Sequence, residues 1–132
     1  MIISKFKIIL IIIKMSCLFD SLSYFINYTS NEIRQKVCDY LETNQPIMEG
    51  LDTKFIIDLD GPNYVENMRR NSEWGGAIEI QSACNLFDIR VLVHTFIGDR
   101  RIIEFVPINK KYTYTINISW NGVHFEHIAN IA

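Results

Sequence analysis

Three side chains in this 132-residue chain have the chemistry of a nucleophile and its activating partners: Cys17, His124 and Glu126. Cys17 lies in Ser16-Cys17-Leu18-Phe19-Asp20-Ser21-Leu22, and apolar residues recur at Leu18, Leu22, Phe25 and Ile26, which is helical spacing. Ser16 occupies the place of an N-cap. A thiol in the first turn of a helix meets free backbone N–H groups and the positive end of the dipole, and both favour the thiolate. A buried core cysteine is the plainer reading of the same position. Cys38 sits beside the apolar stripe of another helical segment and Cys84 next to Ala83 in a third, so both read as structural thiols.

His124 follows Asn121-Gly122, a strong hairpin signal, and opens a short strand expected over Val123 to Ile128. Alternate strand residues share a face, so His124 and Glu126 point one way while Phe125 and His127 point the other. A carboxylate in that position accepts the Nδ1 proton of the imidazole and fixes its tautomer. The other ring nitrogen is then free to take a proton from a thiol. His127 has no such neighbour, and His94, in a buried strand, reads as structural.

The elements that must bring Cys17 and His124 together follow from periodicity. A second helix is expected from Asn31 to Thr43, with Ile33, Val37, Tyr40 and Leu41 as its stripe and Pro46 beyond its end. Phe55-Ile56-Ile57 fits a short strand or a helical turn equally. A short helix around Tyr64, Val65 and Met68 ends among Arg69, Arg70 and Asn71, where the arginines suit the helix dipole. Glu73-Trp74-Gly75-Gly76 precedes a helix from Ala77 to about Phe87, and the paired glycines predict a close backbone approach. Strands are then expected over Ile89 to His94, Arg101 to Val106 and Tyr112 to Trp120.

Ahead of all this runs an apolar leader with Lys5, Lys7 and Lys14, whose uninterrupted stretch, Ile8 to Ile13, is six residues. That is far short of the ~20 needed to span a bilayer. It reads as a leader or edge strand over residues 1–14, with a membrane or targeting role and an unordered leader as alternatives, ahead of one domain over residues 15–132.

Composition narrows the function. A net charge of −2 carries no nucleic-acid footprint. Three cysteines with no CxxC pair and three scattered histidines make neither a disulfide framework nor a zinc site, so no metal is expected. A reducing, intracellular setting fits best. Abundant isoleucine and asparagine fit an AT-rich, for example viral, genome.

Three motifs in order resemble one family. Cys17-Leu18-Phe19 opening a helix resembles the nucleophile motif of the OTU (ovarian tumour) cysteine proteases. Trp74-Gly75-Gly76-Ala77-Ile78-Glu79-Ile80-Gln81 resembles that family's tryptophan–glycine–glycine segment and the helix after it. His124-Phe125 resembles its histidine–aromatic motif. The resemblance covers about Met15 to Ile128. It implies an α/β (α+β) fold, with a small, central, mostly antiparallel sheet flanked by helices, and a deubiquitinase activity that needs no cofactor.

By the same resemblance Cys17 is the nucleophile and His124 the general base. Glu126 stands where the family has aspartate or asparagine. The backbone of Lys14, Met15 and Cys17 corresponds to the oxyanion-hole loop. Trp74, Gly75, Gly76 and Trp120 are candidate walls of a narrow channel for a modifier's paired glycines, with packing as the plainer role for both tryptophans. The family's aspartate–glycine–asparagine before the cysteine is replaced here by Lys14-Met15-Ser16. Losing the glycine removes a residue that tolerates positive φ, which predicts weak activity.

The expectation is therefore an enzyme cleaving isopeptide bonds after the C-terminal glycine of ubiquitin or a ubiquitin-like modifier. It would act as a monomer in the cytoplasm, the host's if the chain is viral, with no nucleic-acid partner and no stable membrane insertion. The rival expectation is an OTU-like module that binds ubiquitin without cutting it. A plain α/β interaction domain is the third.

Overall fold

The computed structural model describes residues 16–95 and 98–129. The expected leader strand, its boundary at residue 14, and the Lys14 and Met15 amides lie outside the described residues.

Helix α1 (Cys17–Ser23) buries Leu18 and Leu22 of the expected stripe together with Phe19, while half-buried Phe25 and buried Ile26 lie beyond its end. Ser16 precedes it but does not cap it with its side chain. Its hydroxyl instead donates to the Asn71 carbonyl at 3.4 Å, so the expected N-cap is corrected to a tether between two segments. Helix α2 (Ser30–Glu42) begins one residue earlier than expected because Thr29 and Glu32 form a reciprocal capping box. Its stripe of Ile33, Val37 and Leu41 is buried, together with Cys38. Arg34 is buried as well; it donates to the Met68 carbonyl at 2.8 Å and lies over the Phe19 ring.

The undecided Phe55-Ile56-Ile57 segment is helical, within α3 (Thr53–Asp58). Helix α4 (Tyr64–Met68) and helix α5 (Ala77–Phe87) match the expected segments, α5 ending at Asp88 in the left-handed region.

Four strands follow: β1 (Ile89–Thr95), β2 (Arg101–Phe105), β3 (Tyr114–Trp120) and β4 (Phe125–His127). Their order in the sheet is β2-β1-β3-β4. β1 pairs antiparallel with β2 and parallel with β3, and β3 pairs antiparallel with β4. The sheet is mostly antiparallel, with one parallel seam at its centre.

Alternation along β1 and β3 buries Ile89, Val91, Val93, Ile116 and Ile118 in one core with the helices. The main helix-to-sheet contacts are made by α5 on β1 and β2 and by α1 on β4. On the other face, His94 Nε2 meets Asn117 Oδ1 at 2.9 Å, which satisfies a buried imidazole inside the sheet. β4 is shorter than the expected Val123 to Ile128, because the Asn121-Gly122 turn extends through His124.

Candidate active site

Cys17 is the first residue of α1, and β4 lies alongside that helix. The two elements bound a cleft of about 740 Å³ whose lining includes Cys17, Asp20, Tyr24, His124, Glu126 and His127. Residues more than a hundred positions apart in the chain thus share one concave surface.

The turn before β4 sets the imidazole. Asn121 Oδ1 accepts from the backbone N–H groups of Val123 at 3.0 Å and His124 at 2.8 Å, while Gly122 takes a positive φ of 103°. The asparagine side chain thereby replaces two backbone acceptors and folds the loop onto itself. His124 leaves that turn with its Nε2 facing Glu126 Oε1 at 3.4 Å. The two are on one side, but His127, expected on the opposite face, lines the same cleft: His124 lies in the turn before β4, so strand alternation does not govern it. The ring atom differs, however: the carboxylate faces Nε2, not Nδ1. Which nitrogen faces a partner depends on side-chain torsion, and alternation carries no information about that.

Cys17 is 6% exposed. Its Sγ accepts a hydrogen bond from the Phe125 N–H at 3.3 Å, the amide of the residue after the histidine. Burial pushes the thiol above its ordinary value. The N–H groups of Phe125 and Leu18 pull it back in part, and the nearby Asp20 carboxylate adds to the rise. This corrects the expected lowering at a helix start. A seven-residue helix contributes a modest field, and removing the thiolate from water outweighs it. Cys38 and Cys84 are pushed further by burial, to about 11 and about 12. Of the three thiols, Cys17 alone lines the cleft it shares with an imidazole.

Residues 16–127 match the family described as OTU-like cysteine protease. The chain belongs to that family. Among relatives, the ovarian tumor domain-containing deubiquitinating enzyme 9 of Arabidopsis thaliana is 33% identical over 86% of this chain and 32% of its own length. Ubiquitin thioesterase otu2 of Schizosaccharomyces pombe is 31% identical over 80% of this chain and 37% of its own. The chain therefore spans about a third of the length of these relatives. An OTU domain solved in complex with ubiquitin superposes with a TM-score of 0.69 at 25% identity, covering 86% of this chain and 63% of that one. The OTU protease of Dera Ghazi Khan virus, at 16% identity and a TM-score of 0.63 over 88% of this chain and 77% of that one, shares the fold.

The remaining candidates of this OTU domain are placed as follows. Trp74 and Gly76 line a separate cavity of about 340 Å³, together with Tyr64 and Glu79. Gly75 makes the expected close approach: a Cβ there would lie 2.7 Å from Leu18 Cδ2 and 3.1 Å from the Phe19 ring. The turn therefore presses on the residues directly after the thiol. Trp120 stacks at a tilt on Phe125, centroids 4.4 Å apart, behind the backbone amide that reaches Sγ.

Two contributors escape the sequence. The Phe125 amide is invisible there because any residue supplies one. The contact of Tyr24 with His127, described below, joins positions that no local period links. No group of three His, Cys, Asp or Glu suited to a metal occurs among the described residues.

Proposed function

We propose that this OTU domain hydrolyses isopeptide bonds after the C-terminal glycine of ubiquitin or a ubiquitin-like modifier. The observation that supports the reading most is the cleft shared by Cys17 and the His124–Glu126 pair, in a chain whose relatives are named as deubiquitinating enzymes and a ubiquitin thioesterase.

In this reading His124 takes the Sγ proton and the thiolate attacks the glycine carbonyl. The resulting imidazolium is stabilised by Glu126 at Nε2. The tetrahedral oxyanion is held by the backbone N–H of Cys17 at the start of α1. His124 then returns its proton to the leaving lysine amine. Water, deprotonated by His124, hydrolyses the thioester. The raised thiol makes proton transfer to His124 the step that generates the nucleophile, since little thiolate stands ready beforehand. The three thiols are free, which suits a reducing cytoplasm as the place of action, and a monomer suffices because one chain supplies both reacting groups.

A ubiquitin probe with a C-terminal electrophile tests the reading. It should label the wild-type chain, lose labelling in Cys17→Ala and keep it in Cys38→Ala and Cys84→Ala. Labelling that survives Cys17→Ala would remove the nucleophile assignment. Reversible binding of ubiquitin without labelling would leave a module that binds and does not cut.

A further inference from the structure

The cleft holds a contact that the chemistry above does not use. The His127 imidazole lies flat on the Tyr24 ring, centroids 3.8 Å apart and planes 8° from parallel. The Phe25 ring meets the same imidazole edge-on at 6.3 Å and 81°. Tyr24 is 57% exposed, so burying its area is not what holds it there.

Its place in the fold gives the contact a use. Cys17 begins α1 and Tyr24 is the residue that ends it. His124 sits just before β4 and His127 closes it. Seven helical residues and three strand residues each span roughly 10 Å. The helix and the strand are therefore joined at both ends: by the Phe125 N–H on Sγ at one, and by the Tyr24–His127 stack at the other.

β4 has need of the second tie. It is an edge strand of three residues, held to β3 through Ile118, Ser119 and Trp120, and short edge segments open at low free energy. The Glu126 contact to His124 is 3.4 Å long, with the carboxylate 69% exposed, and such pairs are weak in water. We infer that Tyr24 and His127 are positioning residues, a stacked pair that fixes β4 against α1 and so sets His124 relative to the Cys17 thiol.

The inference deepens the proposed function, so its test carries one arm that needs no ubiquitin. Alkylation of Cys17 by iodoacetamide at neutral pH reports how readily His124 takes the thiol proton. Buried Cys38 and Cys84 report in the same digest whether the fold is intact. Tyr24→Ala and His127→Ala should each slow Cys17 alkylation toward the rate of His124→Ala, with Cys38 and Cys84 unreactive. Tyr24→Phe, which keeps the ring, should restore it.

In turnover of a ubiquitin substrate the alanine variants should lower kcat by up to about 10²-fold, the scale of a misplaced reacting group, with KM little changed. The double variant should be no worse than either single one. Unchanged alkylation in both alanine variants would overturn the inference, as would a Tyr24→Phe defect equal to that of Tyr24→Ala. Reactive Cys38 and Cys84 in the alanine variants would also overturn it, making the stack a fold element only. A wild-type chain inert toward ubiquitin whose alkylation still follows this pattern would sink the proposed substrate and leave the positioning role standing.

Discussion

Glu126 is the residue whose contribution the geometry defines most sharply. It reaches His124 at Nε2 from a mostly exposed position, so solvent screens its charge while its oxygen still directs the ring. Orientation should then matter more than charge. Glu126→Gln keeps an amide oxygen that accepts from Nε2–H, and should retain much of the cleavage rate. Glu126→Ala removes the acceptor and should lose considerably more. The two rates on a fluorogenic ubiquitin substrate decide the matter. Equal, severe losses in both variants would mean that the imidazolium depends on the negative charge.

Between elements, the Trp74-Gly75-Gly76 turn fits closely against α1. Leu18 is 1% exposed and Phe19 fully buried, so neither side chain has room to withdraw from a methyl group at position 75. Gly75→Ala should cost about 1–3 kcal/mol, the usual range for overpacking a filled core. Denaturant unfolding checks it, and a midpoint equal to the wild type's would contradict the fit.

The same scale explains what was legible beforehand. Helix α2 and strand β3 could be read because their buried residues repeat at one period: Ile33, Val37 and Leu41 in the first, Ile116 and Ile118 in the second. Helix α3 could not. Its buried face is marked by Thr53 and Ile57, while Phe55 is 58% exposed, so apolar character and burial part company there. Candidate site residues were legible one by one, from the helix start at Cys17 and the two-residue spacing of His124 and Glu126. The ring atom of His124, the Phe125 amide on Sγ and the Tyr24–His127 stack were not. Each depends on a torsion or on a contact across the whole chain.

At the scale of the molecule, one buried carboxylate joins the helices to the turn. Glu79 in α5 is 1% exposed; it accepts from the Tyr64 hydroxyl of α4 at 2.7 Å and from the Gly76 N–H at 2.8 Å. Burial raises it above the ordinary carboxylate value of 4.5, a rise only partly offset by those donors and by Arg34. The folded chain therefore binds this proton more tightly than the unfolded one. Its contribution is fully present below 4.5 and is lost as pH climbs through the folded value. Glu79→Gln removes that titration. Measured by urea midpoints from about pH 4 to about pH 8, the variant should gain on the wild type as pH rises. A gap that stays constant with pH, or widens in favour of the wild type, would show that the buried carboxylate carries no net penalty.

The 108-residue separation between Cys17 and the Phe125 amide has a consequence in the order of synthesis. At roughly 5–20 residues per second, the thiol emerges from the ribosome about 5–20 s before the segment that activates it. Throughout that interval the nascent chain carries Cys17 without the imidazole proposed as its base. Completion of the proposed site therefore waits on β4, whichever segments are made before or after it.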